Sequence, residues 1–206
     1  ADWKTVRTER DYDGYGNVVL ESQLGVVFTG DPAAPAGCEA CNREAGLYGA
    51  PCNASCEGDE MYTETTYVSP VTSTNGRWIL RAAHTEKMSA DPTLADAIET
   101  RTYYDGPAFE GLALGQLNQG TPVREEKRVD ADRLLQSMRV MLDSHGNVID
   151  ELDPLGSPDD TSGHRTQVDY DALGHLVVAQ RRLLHQPAFG SYTLEKRYEY
   201  SPSLLL

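Results

Sequence analysis

Four thiols fall within nineteen residues, as Cys38-Glu39-Ala40-Cys41 and Cys52-Asn53-Ala54-Ser55-Cys56. A CxxC and a CxxxC ten residues apart can each place two sulfurs on one side of a tetrahedral Zn²⁺. The same spacing suits two nested disulfides, Cys38 with Cys56 and Cys41 with Cys52, in an oxidising exterior. Both roles are structural, and without a βαβ context a redox-active CxxC is not expected. The histidines His84, His145, His164, His175 and His185 are scattered singly, and no Gly-x-Ser-x-Gly elbow is present. Asp150, Glu151, Asp153, Asp159 and Asp160 gather around one loop, yet their spacing departs from the Asp-x-Asp-x-Asp-Gly order of a calcium loop. They read as a solvated acidic loop. Asn53-Ala54-Ser55 matches a glycosylation triplet, a pattern that arises often by chance. No catalytic residue and no cofactor beyond a structural zinc is expected.

The elements that hold these residues read as strands. Tyr12-Asp13-Gly14-Tyr15-Gly16-Asn17 recurs as Leu142-Asp143-Ser144-His145-Gly146-Asn147 and as Tyr170-Asp171-Ala172-Leu173-Gly174-His175. Each copy lies between runs that alternate apolar and polar residues. An Asp that bonds backbone two residues on, followed at the third position by a Gly able to take positive φ, closes a hairpin. Tyr or Leu ahead of the Asp puts a large apolar group where the strand begins to bury. His145 and His175 fall at turn positions, where solvated polar residues belong.

A first hairpin is expected over residues 8–24, and strands return at 61–68 and 77–82 around the turn Ser73-Thr74-Asn75-Gly76. Residues 29–60 carry Pro32, Pro35, Pro51 and all four cysteines, which suits one long inserted loop. Residues 1–28 and 61–206 are then the two parts of one hairpin strip. Asp91 and Pro92 could cap a short helix over 90–99, with Leu94, Ala97 and Ile98 on one face. The Gly-rich stretch 105–116 is too broken for regular structure, and 153–163 reads as a polar loop. In the last strand Tyr192, Leu194, Tyr198 and Tyr200 share one face, expected to be dry, with Thr193, Glu195, Arg197 and Glu199 on a wet one. The whole is an all-β antiparallel meander of eight to twelve strands.

At 206 residues and 39% hydrophobic content the chain can bury a core. Its 32 acidic against 18 basic residues give a net charge of -14, which repels nucleic acid and anionic membranes. No run approaches the roughly 20 apolar residues that span a bilayer. The apolar end Ser201-Pro202-Ser203-Leu204-Leu205-Leu206 suggests a segment of a longer protein.

The three repeats, with Tyr103-Tyr104-Asp105-Gly106-Pro107-Ala108-Phe109-Glu110-Gly111-Leu112-Ala113-Leu114-Gly115-Gln116, make the chain resemble the Rhs/YD-repeat family. Within it the chain resembles the B component of bacterial Tc insecticidal toxin complexes. The motif Tyr-Asp-x-x-Gly-Asn is matched in full at Tyr12, Asp13, Gly16 and Asn17. It is matched in part at Asp143, Gly146 and Asn147, and at Tyr170, Asp171 and Gly174. Nothing in 29–60 matches. The resemblance implies a curved strip of hairpins, a partial segment of a hollow β-shell that encloses a toxic C-terminal polypeptide, secreted as part of a toxin complex. The expected partners are the rest of that chain or complex and its cargo, with no nucleic acid and no direct membrane insertion. A second expectation comes from the tyrosines, 11 against three phenylalanines and two tryptophans. Rows of exposed tyrosines suit a carbohydrate- or receptor-binding module on a secreted surface protein. A hydrolase using a histidine and a carboxylate is a third.

Overall fold

The computed structural model describes residues 5–27, 60–73, 76–130, 133–159, 163–186, 188 and 190–201. Thirteen strands fill most of them: β1 (Thr5–Tyr12), β2 (Val18–Val27), β3 (Met61–Tyr67), β4 (Val71–Thr72), β5 (Trp78–Ile79), β6 (Ala83–Ser89), β7 (Ile98–Tyr104), β8 (Pro122–Asp130), β9 (Arg133–Leu142), β10 (Val148–Leu152), β11 (Arg165–Tyr170), β12 (Val177–Gln186) and β13 (Gly190–Arg197). Thr, Tyr and Val recur through them, the residues that fit a pleated, half-buried surface. Among the described residues there is no helix. Eleven strands form one sheet in the order β1-β2-β3-β6-β7-β8-β9-β10-β11-β12-β13, and β4 with β5 makes a separate small hairpin. Strands that follow one another in sequence lie side by side, as an all-β meander requires.

The chain divides into two compact units, Ala1–Ser69 with Leu80–Thr100, and Pro70–Ile79 with Arg101–Leu206. In the first, Glu21 pairs with Thr63 and Glu64 with Lys87, and the buried apolar groups are Tyr62, Val68, Ala82 and Ala97. In the second, Val123, Val140, Leu152, Val168 and Ala179 are buried from successive strands, and Tyr104 and Leu117 are buried as well.

The helix expected over 90–99 is absent. Asp91 instead accepts the Thr93 N–H at 2.8 Å, and the Leu94 N–H bonds the Asp91 carbonyl at 3.0 Å. Leu94 takes φ 57°, a left-handed conformation that ends any helical run. Ten residues gain too few bonds to nucleate a helix, whereas strand alternation buries Glu99 and leaves Ile98 62% exposed. The dry face expected of the last strand is also corrected. Tyr192 is 41% and Leu194 55% exposed, because β13 is the outermost strand and nothing described packs on it. Tyr12, expected to bury, is 58% exposed for the same reason, since β1 is the other outermost strand.

The Gly-rich stretch is irregular as expected, and 153–159 is a loop. Thr74 and Asn75 lie outside the described residues, as do Cys38, Cys41, Cys52, Cys56 and the expected 29–59 part of the inserted loop.

Candidate functional site: the hairpin corners

The repeat residues meet at corners built the same way. At the first, Asp13 Oδ1 accepts the N–H groups of Tyr15 at 2.8 Å and Asn17 at 2.9 Å. The Asp13 N–H returns to the Asn17 carbonyl at 2.9 Å, and the Gly16 N–H reaches the Asp13 carbonyl at 3.2 Å. Gly16 sits at φ 80° with open space around a would-be Cβ, so conformation alone calls for glycine. The corner at Asp143 repeats it: Oδ1 accepts His145 N–H at 2.8 Å and Asn147 N–H at 2.9 Å, with Gly146 at φ 88°. Backbone torsions and one carboxylate thus fix the turn within five residues.

The asparagine does more than close its own turn. Asn17 Nδ2 donates to Asp13 Oδ2 and to the carbonyl of Leu80, both at 2.8 Å. Asn147 Nδ2 donates to Asp143 Oδ2 at 3.0 Å and to the Gly174 carbonyl at 2.8 Å. Each amide therefore ties a corner to the next connection along the same side of the sheet. At the third repeat His175 replaces the asparagine and the corner is one residue longer. The Asp171 N–H bonds the Leu176 carbonyl at 2.8 Å, while Asp171 Oδ1 accepts His175 N–H at 2.7 Å and Leu176 N–H at 3.0 Å.

Two further corners use the design without the full motif. Ser73 Oγ accepts the Arg77 N–H at 3.0 Å, the Ser73 N–H bonds the Arg77 carbonyl at 2.7 Å, and Gly76 holds φ 81°. Asp153 Oδ1 accepts the Leu155 N–H at 2.9 Å, and the Gly156 N–H bonds the Asp153 carbonyl at 3.0 Å. Here a Cβ on Gly156 would meet the His164 carbonyl oxygen at 2.6 Å, so close approach rather than φ demands glycine. The signal was available in Leu152-Asp153-Pro154-Leu155-Gly156, which keeps the Leu-Asp-x-x-Gly order of the second repeat.

Tyrosine hydroxyls join successive hairpins by a rule that spacing did not reveal. Tyr67 Oη donates to the Val18 carbonyl at 3.1 Å, Tyr170 Oη to Val148 at 3.3 Å, and Tyr200 Oη to Val177 at 2.7 Å. Each acceptor is the first residue of the strand leaving a corner, and each tyrosine lies on the segment paired with that strand. Tyr103 Oη donates to Glu126 Oε2 at 2.8 Å and Tyr198 Oη to Gln180 Oε1 at 2.7 Å. Phenylalanine could fill the same space but make none of these bonds, which gives five of the eleven tyrosines a role that phenylalanine cannot take. Lys196 covers the Tyr198 ring at 4.6 Å.

The stretch 105–121 is closed by a single carboxylate. Asp105 accepts the N–H groups of Asn118 (2.7 Å), Gln119 (2.8 Å), Gly120 (3.0 Å) and Thr121 (3.0 Å). Burial pushes its carboxyl up, but these four bonds outweigh that and hold it below the ordinary value. Gly106 and Gly111 combine positive φ with contact: a Cβ would meet Leu112 N at 2.9 Å or Tyr103 Cβ at 2.9 Å. The carboxyls of Asp13 and Asp143 behave alike, raised by desolvation and lowered further by the bonds from Asn17 and Asn147. The Asp171 carboxyl is lowered first by the Leu176 N–H, then by that of His175.

Charge on the second unit is paired within one face. Asp150, Gln167, Arg181 and Glu195 stand directly opposite one another across β10, β11, β12 and β13. Asp150, 1% exposed, receives Arg165 Nε on both oxygens at 2.9 Å; Arg181 bonds Asp169 and lies 3.3 Å from Glu195. A groove of about 650 Å³ is lined by Asp150, Gln167 and Arg181 of this row, and one of about 470 Å³ lies between the 105–121 stretch and the Asp143 corner. His145 lines both.

The acidic loop residues do not converge: Asp150 is in its ion pair, Glu151 is exposed, and Asp160 lies outside the described residues. Among the described residues no group of three or more His, Cys, Asp or Glu side chains could hold a metal ion. His164 Nδ1 meets Asp153 Oδ2 at 2.7 Å. That carboxylate also accepts the Leu155 N–H and lies 3.5 Å from Arg182, so the pair clasps the loop. His84 Nδ1 meets Thr85 Oγ1 at 2.9 Å, and burial lowers its pKa. His185 Nδ1 meets Ser191 Oγ at 3.0 Å. The histidines thus serve separate local contacts. No protein-family model matches the chain, and no curated protein matches its sequence.

Proposed function

We propose that this chain is a non-catalytic wall segment of an Rhs/YD-repeat β-shell, of the kind its sequence resembles in the B component of Tc toxin complexes. Its partners are then the rest of that assembly and an enclosed toxic polypeptide. The observation that carries the reading is the matched pair of corners at Asp13 and Asp143, each tied by its asparagine to the next connection. A turn needs only its own five residues; an amide that reaches the neighbouring connection serves a strip. The tyrosine bonds to Val18, Val148 and Val177 support it in the same way, since they couple each hairpin to the one before.

The mechanism is steric, and it asks two things of a wall: continuity between hairpins and a surface that offers an unfolded chain little to hold. The row from Asp150 to Glu195 meets the second demand, because its charges are already paired with Arg165 and Arg181. Protease digestion of the full parent protein tests the reading. The polypeptide that follows the shell should resist cleavage while the shell is intact and be cut once Asp13→Ala and Asp143→Ala together open the corners. Equal susceptibility in both proteins would refute it.

A further inference from the structure

The groove between the 105–121 stretch and the Asp143 corner holds a cation that the protein leaves unmatched. The Ser73 corner fixes the start of β5: the Arg77 N–H donates to Ser73 Oγ at 3.0 Å, and the Arg77 carbonyl accepts the Ser73 N–H at 2.7 Å. Alternation puts Ile79 on the same side as Arg77. A Cβ on Gly120 would lie 3.4 Å from Ile79 Cδ1, so the small hairpin rests on the 105–121 stretch. Arg77 thereby lines the groove together with Gln119 and Thr121 of that stretch and Ser144 and His145 of the corner.

With 32 acidic against 18 basic residues, an arginine readily finds a carboxylate, as Arg165 and Arg181 do. The Arg77 guanidinium bonds no group among the described residues. The two carboxylates that line the groove are already occupied. Asp105 accepts four N–H groups, and Asp143 accepts those of His145 and Asn147 with the Asn147 amide, donors that offset both charges. The Gln119 side-chain amide, the Thr121 and Ser144 hydroxyls and His145 Nε2 bond nothing among the described residues. These groups both donate and accept, as a sugar hydroxyl does, whereas a guanidinium only donates, in a planar fork that matches a carboxylate. We infer that the groove binds a small acidic sugar, its carboxylate on Arg77 and its hydroxyls on Gln119, Thr121, Ser144 and His145. One guanidinium balances one negative charge, which favours a carboxylate over a phosphate dianion. Met141 and Leu142 add apolar surface for the ring carbons, and about 470 Å³ falls within the range of small-molecule sites. Such a site goes beyond the wall reading and stands without it.

Titration of the whole chain with D-glucuronate, followed by amide NMR at physiological ionic strength, tests it. The N–H signals of Gln119, Thr121 and Ser144 should shift and saturate with a Kd of about 1–10 mM. Glucose lacks the charge, acetate lacks the hydroxyls and inorganic phosphate lacks both the ring and the planar acid, so each should bind about tenfold more weakly or worse. Arg77→Gln keeps the backbone bonds to Ser73 and should weaken glucuronate binding by about tenfold or more. Arg81→Gln makes the same change in net charge at an exposed residue that does not line the groove, and should leave the affinity unchanged. Glucuronate that fails to saturate, glucose, acetate or phosphate that binds equally well, or an Arg77→Gln affinity no weaker than that of Arg81→Gln would each overturn the inference.

Discussion

The corner at Asp143 and the excursion closed by Asp105 start alike, with an aspartate that ends a strand, yet they are closed from different distances. Asp143 draws its donors from His145 and Asn147, two and four positions on. Asp105 draws four from residues 118–121. A local corner forms as soon as five consecutive residues take the right torsions. A distant one must first bring together ends thirteen or more residues apart, so it depends on the strands that bracket it. The same side chain is a turn former in one place and a tertiary clasp in the other.

Acid should break both at once, and this is the largest effect expected. The carboxyls of Asp13, Asp105, Asp143 and Asp171 are all held below their ordinary value in the folded chain. Their stabilisation is complete above the unfolded value of about 4 and is lost as pH falls through the lowered folded values. The Ser73 corner has no carboxylate. In amide exchange followed down to that range, the Asn147 N–H should lose protection while the Arg77 N–H keeps it; parallel loss at both would remove the role given to the carboxylates.

Asp105→Ala comes next. It strands four N–H groups and should cost about 2–4 kcal/mol in urea unfolding, with faster exchange across residues 118–121. Asn147→Ala keeps the backbone N–H bonds to Asp143 Oδ1 but removes both amide bonds, to Asp143 Oδ2 and to the Gly174 carbonyl, at about 1–2 kcal/mol. Its signature is loosening at the Asp171 corner, and loosening confined to 143–147 would show that the amide serves its own turn only. Tyr170→Phe is the smallest, about 0.5–1 kcal/mol for one part-buried bond, read as a small fall in the urea midpoint with an unchanged slope.

The polar-residue grammar of the corners was legible because it is local. Asp, two residues, then Gly states both a side-chain acceptor and a positive φ, and Asp13, Asp143 and Asp171 all use it. The same grammar at Leu152-Asp153-Pro154-Leu155-Gly156 is masked by the acidic residues that surround it. At Asp91 that order lacks its glycine, Leu94 taking the positive φ instead, and Asp-Pro serves a helix start and a turn equally well. What decided there was burial of Ala97 and Glu99 along β7 and its approach, which no ten-residue window contains.

The sequence by itself determined a chain built mainly of antiparallel strands, the turns at Asp13, Asp143 and Asp171, and why glycine stands at 16, 146 and 174. Those features rest on torsions and bonds within five or six residues. Tertiary structure alone decided that Asn17 meets Leu80, that tyrosine hydroxyls find the first carbonyl of a neighbouring strand, and that Asp105 gathers four distant amides. It also decided that β13 is wet on both faces. Alternation tells which side chains share a face, but only strand order and register say whether anything lies against it.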